Sequence, residues 1–252
     1  MSARRWNRWQ AAGTHLLICV GIALLVITLM LTVWYPRPLF EASGGAGLLA
    51  ILVGVDVTIG PLLTLAVFKA GKRGLKFDLA VIALAQLAAL SYGVHIVYLA
   101  RPAFIVFVAD RFEVVSAADL EPAALAAAKY PQFRRVPLDG PKLAAAEMPT
   151  ESADRLKVVV SALEGHDMQE MPRLWVPYGE RRAQVLAKAK PLEEMRTDND
   201  VRDAIDQYVA GAGEAAKKIP ALLLRTRFAW LVVLVDPKTA EPIKMILGKK
   251  IL

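Results

Sequence analysis

Few side chains in this chain have the types and spacing that chemistry needs. Asp198-Asn199-Asp200 has the D-x-D spacing with which two carboxylates can hold a sugar nucleotide through a divalent cation. The same residues open an expected helix, where Asp and Asn cap free amides and favour the positive end of the dipole. No nucleotide-binding βαβ unit surrounds them, so capping is the reading preferred. Ser161, His166 and Asp167 have the types of a nucleophilic triad, but they sit too close in sequence to be assembled as one. His15, His95 and His166 are too scattered for a metal site. There is no G-x-S-x-G elbow, P-loop, G-x-G-x-x-G turn, H-E-x-x-H helix or paired-cysteine zinc pattern. No metal, cofactor or catalytic residue is expected. The basic pairs Arg134-Arg135, Arg181-Arg182 and Lys217-Lys218 are scattered among acids and read as solvated surface.

Asp56 is the residue in a costly place. It stands in a long apolar run, and a carboxyl near the middle of a membrane span costs roughly 2.5–3.5 kcal/mol to insert. It must face protein or a water-filled cavity, or hold a proton. It lies about 15 Å below the outer end of its span. On the next span Ser91 and Tyr92 reach a similar depth and are its expected hydrogen-bond partners. Gly54 and Gly60-Pro61 flank it: glycine lets a neighbouring helix approach closely, and proline frees a backbone carbonyl that needs a partner. Gly54, Asp56, Gly60, Pro61, Ser91 and Tyr92 therefore form the candidate site. It reads either as an internal clasp among spans or as a polar notch for another protein's helix. One acid without a relay makes a poor proton or ion pathway.

The elements that must position this site follow from composition. The chain has 252 residues, is 56% hydrophobic and carries a net charge of +7 with a mean hydropathy of +0.40. Disordered chains lack such apolar content. Residues 1–100 hold 8 Lys and Arg against 3 Asp and Glu, and residues 101–252 hold 23 against 21. Leu16 to Val33 contains no charge and, at 1.5 Å per residue, nearly crosses a hydrocarbon core of about 30 Å. Ala46 to Phe68 holds one acid, and Leu79 to Leu99 no ionisable residue but His95. Three transmembrane helices are expected, over about 16–34, 46–68 and 79–99, after a cytoplasmic segment 1–15. The first reads as a retained anchor, because it ends in Trp34-Tyr35-Pro36 with no small-x-small cleavage site.

Arg4, Arg5 and Arg8 precede the first span, and Lys69, Lys72, Arg73 and Lys76 fill the second loop, while the first loop sets Arg37 against Glu41. The positive-inside rule then places the N-terminus and second loop in the cytoplasm, and residues 101–252 on the far side of the membrane, which in a Gram-negative host is the periplasm. Much of the positive surplus is therefore a topology signal, and no nucleic-acid partner is expected. Trp34, Tyr35 and Tyr98 are expected at the outer interface, and Trp6 and Trp9 at the inner one. The lone cysteine, Cys19, lies in a span, so the outer domain has no disulfide.

Residues 101–252 are long enough for one globular domain. Ala103 to Val108 and Phe112 to Val115 read as a hairpin, and Phe228 to Val235 and Ile243 to Leu247 as a second around Asp236-Pro237-Lys238-Thr239. Between them Ala117 to Lys129, Glu151 to Leu163, Arg181 to Lys190 and Asp198 to about Ala210 read as helices, the last with Val201, Ile205, Tyr208 and Val209 on one face. The fold class expected is a membrane protein, three transmembrane α-helices (residues 16–100) followed by a small α+β domain whose sheet joins the two hairpins.

Several stretches carry a family resemblance: Gly54-Val55-Asp56, Gly60-Pro61-Leu62-Leu63-Thr64, Val67-Phe68-Lys69 and Gly71 through Ala80. Gln86-Leu87, Ala89-Leu90, Tyr92-Gly93 and Arg101-Pro102 add to it. The chain resembles the type IV pilin accessory proteins of the TfpX/TfpZ group, most strongly over residues 50–115, with Trp34-Tyr35-Pro36 also fitting. The ending Lys249-Lys250-Ile251-Leu252 departs from that pattern. The resemblance implies a non-enzymatic inner-membrane protein that assists pilus assembly by acting on its cognate major pilin. Its partners would be that pilin, the assembly platform that takes the subunit over, and membrane lipid. The implied mechanism is chaperone-like, with the spans gripping the pilin's apolar helix and the outer domain meeting its head. The alternative is a pilin-modifying or processing enzyme, suggested by Asp198-Asn199-Asp200. A sensor is disfavoured, because the cytoplasmic parts are too short for a signalling output.

Overall fold

The computed structural model describes residues 6–251. The chain divides into two compact units: one formed by the three long helices, the other by Val33–Ser43 together with Ala100–Leu252.

The first helix, α1 (Arg8–Leu29), is opened by a capping box: Asn7 Oδ1 accepts from Gln10 N–H at 2.8 Å, and the Gln10 side chain accepts from Asn7 N–H at 3.1 Å. It runs on into a π-helical turn, Met30–Trp34, so the apolar helix extends over 27 residues. A short helix α2 (Leu39–Ala42) follows in the first loop. The second span is α3 (Gly45–Val67), which enters through Gly44 in the left-handed region, φ 74°, and contains Pro61. The third is α4 (Leu75–Ala100), with Lys72 and Asp78 ion-paired at 2.6 Å at its start. All three long helices are long and apolar enough to cross a membrane, and the chain is a multi-pass membrane protein. Helices α1 and α3 pack closely along their length, whereas few α4 residues are buried.

The second unit is a mixed sheet of eight strands. They are β1 (Pro102–Val108), β2 (Arg111–Ser116), β3 (Lys142–Ala146), β4 (Trp175–Pro177), β5 (Lys190–Pro191), β6 (Pro220–Arg225), β7 (Ala229–Val235) and β8 (Pro242–Lys250), in the order β4-β3-β1-β2-β6-β7-β8, with β5 beside β6. The two expected hairpins are there: β1 with β2 and β7 with β8, both antiparallel. They join through β6, which runs parallel to β2 and antiparallel to β7 and was not expected from sequence.

Strand β1 is buried on both faces because its neighbours alternate between two cores, as the period of two dictates. Phe104 and Val106 pack with Leu125, Phe133 and Trp175 on one face, while Ile105 and Phe107 pack with Leu39, Val185 and Val233 on the other. Along β7, Val232 and Leu234 turn to a third cluster, formed with Val201 and with Ile205 and Val209 of α8 (Arg202–Ala212).

Several expectations need correction. Ala117 to Lys129 is not one helix: a 3₁₀ turn over Ala117–Asp119 is capped by Ser116, and α5 covers only Pro122–Ala126. Pro122 fits the first turn of α5 but cannot continue a helix from Leu120. The helix expected over Glu151 to Leu163 is α6 (Ser152–Leu163), and that over Arg181 to Lys190 is α7 (Arg182–Lys188). Trp34 and Tyr35 are packed against protein rather than standing free on the surface. They are 9% and 0% exposed inside the second unit, and the Arg101 guanidinium lies 5.9 Å from the Trp34 ring centroid. Arg101, itself 1% exposed, also donates from Nη2 to Pro137 O at 2.9 Å. Trp6 and Trp9 are exposed.

The first loop is part of this unit. Leu39 and Ala42 are buried in its core, and Thr226 Oγ1 donates to Ala42 O at 2.6 Å. The turn after β7 is held by Asp236 Oδ1, which accepts from Lys238 N–H and Thr239 N–H, both at 2.8 Å. Tyr178 donates its hydroxyl to Ala240 O in the core, and burial pushes the phenol well above its ordinary range. Tyr178→Phe leaves that carbonyl unpaired and should lower the unfolding free energy by about 1–2 kcal/mol. Thermal unfolding of the purified chain checks this.

Candidate intramembrane binding site

The site is built where α4 meets the α1–α3 pair. Asp56 stands in mid-α3 and is 9% exposed, and Thr64, two turns on, is 3% exposed. Thr64 Oγ1 lies 2.6 Å from His15 Nδ1 of α1, so His15 is a packing residue that ties the first two helices together. Gln86 of α4 reaches across: its Nε2 donates to the Asp56 main-chain O at 3.2 Å and lies 3.8 Å from the sulfur of buried Cys19. Gly60 makes that reach possible. A Cβ there would stand 1.9 Å from Gln86 Nε2, so only glycine leaves room for the amide. Further out, Gly93 of α4 packs against Leu52, whose Cδ1 would be 2.5 Å from a Cβ at 93.

These close approaches are local, and openings remain beside them. One, of about 140 Å³, is lined by His15, Cys19, Leu52, Asp56, Gln86 and Leu87, among others. The second, of about 410 Å³, runs between α3 and α4, with Ile51, Val55, Asp56, Tyr92, Gly93 and Ile96 on its walls. Asp56 lines both. Its Oδ1 is buried without a hydrogen-bond partner, and so is Gln86 Oε1. In hydrocarbon, where no water offers a substitute, such an acceptor costs free energy until a donor arrives.

Three of the six expected site residues, Asp56, Gly60 and Pro61, are buried at this junction. Tyr92 lines the outer groove but is 69% exposed, Ser91 is exposed, and neither bonds to the Asp56 carboxylate. The amide that meets Asp56 is instead that of Gln86, because α4 turns Ser91 away from α3. Gly54 is exposed, with nothing within 4 Å of where its Cβ would be. Of the topology residues, Arg8, Lys69, Lys72, Arg73 and Lys76 are exposed, and Arg4 and Arg5 lie outside the described residues.

The other candidate groupings have structural roles. Asp198 does not cap α8: its Oδ1 accepts from Asp200 N–H at 2.9 Å in a tight turn, and α8 starts after Val201 without a side-chain cap. The reason is that Asp198 sits three residues before Val201, one turn too early. Ser161 and His166 line a surface cleft with Asp119, Glu170, Arg173 and Arg227, but Asp167 accepts from Gln169, and His166 meets Ser161 only through the main chain, its N–H donating to Ser161 O at 2.9 Å at the end of α6. Burial, then the charges of Asp119 and Asp167, raise the Glu170 carboxyl there. Among the described residues no group of three His, Cys, Asp or Glu could hold a metal ion. The basic pairs are partly spent on ion pairs: Arg181 with Glu147, Arg182 with Glu241, and Lys217 with Glu214.

Two proteins of Dichelobacter nodosus, the fimbrial assembly proteins of serogroup I and serogroup E1, are 33% and 32% identical to this chain over 234 residues. The alignments cover 89% of the chain and 90% of each relative. The chain belongs to the fimbrial assembly protein family. A third relative, the fimbrial assembly protein of serogroups C1 and C2, is 38% identical over 114 residues, covering 44% of this chain and 86% of its own length. The family model described as Fimbrial assembly protein FimB matches residues 3–44. That segment comprises the first span and the loop that enters the core of the second unit. The membership agrees with the resemblance to type IV pilin accessory proteins. No solved structure matches the chain.

Proposed function

We propose that the protein is a chaperone-like factor of the bacterial inner membrane that binds its cognate major type IV pilin and promotes its assembly into pili. The observation that carries this reading is the match, over nine-tenths of their length, to proteins named for fimbrial assembly. The membrane part supports it: three apolar helices meet at a junction with unpaired acceptors, a surface suited to holding a helix in lipid. Exposed Arg8, Lys69, Lys72, Arg73 and Lys76 support a cytoplasmic N-terminus and second loop, with the α+β unit in the periplasm. Binding must remain modest, since a subunit held too tightly is not handed on to the assembly platform.

The test is co-purification of pilin with the tagged, full-length protein from membranes of piliated cells, together with the mass of pilin in cells lacking it. A binding factor brings pilin down and leaves pilin mass unchanged. Absence of pilin from the purified material contradicts the proposal, and a change in pilin mass favours a modifying enzyme instead.

A further inference from the structure

Two acceptors, Asp56 Oδ1 and Gln86 Oε1, are buried without partners where α3 and α4 approach. The two protons of the Gln86 amide nitrogen are directed at the Asp56 main-chain O and the Cys19 sulfur, so that nitrogen does not serve the Asp56 carboxyl. Gln86 Oε1 can only accept, and Asp56 Oδ1 accepts whenever the carboxyl is ionised, so with Asp56 ionised the missing group is a donor. The depth is set as well: Asp56 lies eleven residues from the Val67 end of α3, and Gln86 eleven from the Leu75 end of α4. Both are near mid-membrane, about 16 Å from those ends.

The walls around them are apolar. Ile51 and Tyr92 beside the larger opening are 70% and 69% exposed, Leu87 beside the smaller one is 61% exposed, and α4 as a whole is sparsely covered. A long apolar wall with unpaired acceptors part-way along fits an apolar helix that carries donors at one level. Lipid tails would fill the walls but leave the acceptors unsatisfied.

We infer that the two openings beside Asp56, where α4 meets α3, receive a partner's transmembrane helix, which brings hydroxyl, amide or ammonium donors to Asp56, on both openings, and to Gln86, on the smaller one. This deepens the pilin-binding reading and rests on it for the identity of the partner. These openings are then the grip, with α3 and α4 as its walls.

The test places the photo-reactive amino acid p-benzoyl-phenylalanine at Leu87 or at Tyr92 in the full-length protein, in native membranes, with Leu25 as a lipid-facing control outside both openings. Leu87 and Tyr92 should capture a helix whose cross-linked residue lies within a turn of a donor side chain, and Leu25 should not. The double substitution Asp56→Leu and Gln86→Leu should lower capture per molecule of protein at least about tenfold, or ~1.4 kcal/mol. Replacing the donor on the captured helix should do the same, which keeps the test informative if the double variant accumulates poorly. Capture of lipid alone, of a second copy of this chain, or of a helix without donors overturns the inference. Undiminished capture by the double variant does so too. If pilin still co-purifies while groove probes miss it, the groove fails and pilin binding stands. If the probes capture a donor-bearing helix from another membrane protein, the groove stands and pilin binding fails.

Discussion

Leu39→Asp should unfold the sheet unit, although residue 39 lies in a loop between two membrane spans. Leu39 is 1% exposed and packs in one cluster with Ile105, Phe107 and Val233. Truncation to alanine at such a site costs about 2–5 kcal/mol. Aspartate adds an unpaired charge to that loss. Since domains are stable by only about 5–15 kcal/mol in total, the unit should become protease-sensitive at growth temperature. Glu41→Ala, at an exposed position in the same helix, should leave it intact. Limited proteolysis of membranes containing each variant makes the comparison. Equal resistance of Leu39→Asp and the unmodified protein would mean that the loop is not part of the core.

Gly60→Leu should have the second largest effect, and it acts in the membrane. Even a Cβ at this position collides with Gln86 Nε2, Cδ and Oε1, all within 2.4 Å. Leucine adds three more carbons, so the Gln86 amide must leave its place beside residue 60, with overpacking costs of about 1–3 kcal/mol. The bond from Gln86 to the Asp56 main chain is lost with it. Pilin recovery with the protein should fall sharply, and the variant should be less abundant in membranes. Gly54→Leu provides the contrast, because nothing lies within 4 Å of its Cβ. Its abundance should match the unmodified protein. A drop in abundance with Gly54→Leu equal to that with Gly60→Leu would contradict the packing described around α3.

How much of this was legible in sequence depends on the distance over which each residue's partners lie. Charge-free runs announce long apolar helices on local evidence, so all three could be read, although the first helix begins at Arg8, well before the charge-free run that starts at Leu16. The runs AFIVFV and AWLVVLV likewise announce buried strands. Strand β6 was missed because Pro220–Arg225 is rich in leucine, which suits a helix as well as a strand, and only its pairing with β2 and β7 decides. Strand β3 is alanine-rich and poor in β-branched residues for the same kind of ambiguity. The burial of Leu39, Trp34 and Tyr35 depends on residues far along the chain, and a short loop between two spans gives no local hint of them.

At the candidate site, Asp56 stood out because a lone carboxyl in an apolar helix is costly. Its partner was misplaced by counting depth from the outer ends of the spans, which led to Ser91 and Tyr92. Counting from the Val67 end of α3 and the Leu75 end of α4 leads to Gln86, a lone amide in an otherwise apolar stretch of α4. The constraint on Gly60 was legible as a possible close approach, but what approaches it was not.

The measurement that tests assembly most directly is the amount of pilin sheared from the surface of cells lacking this protein, compared with total pilin in the same cells. An assembly factor that acts on pilin predicts surface pilin near that of an unpiliated strain, with pilin of unchanged mass still present in the membrane. Surface pilin at the normal level in those cells would contradict it.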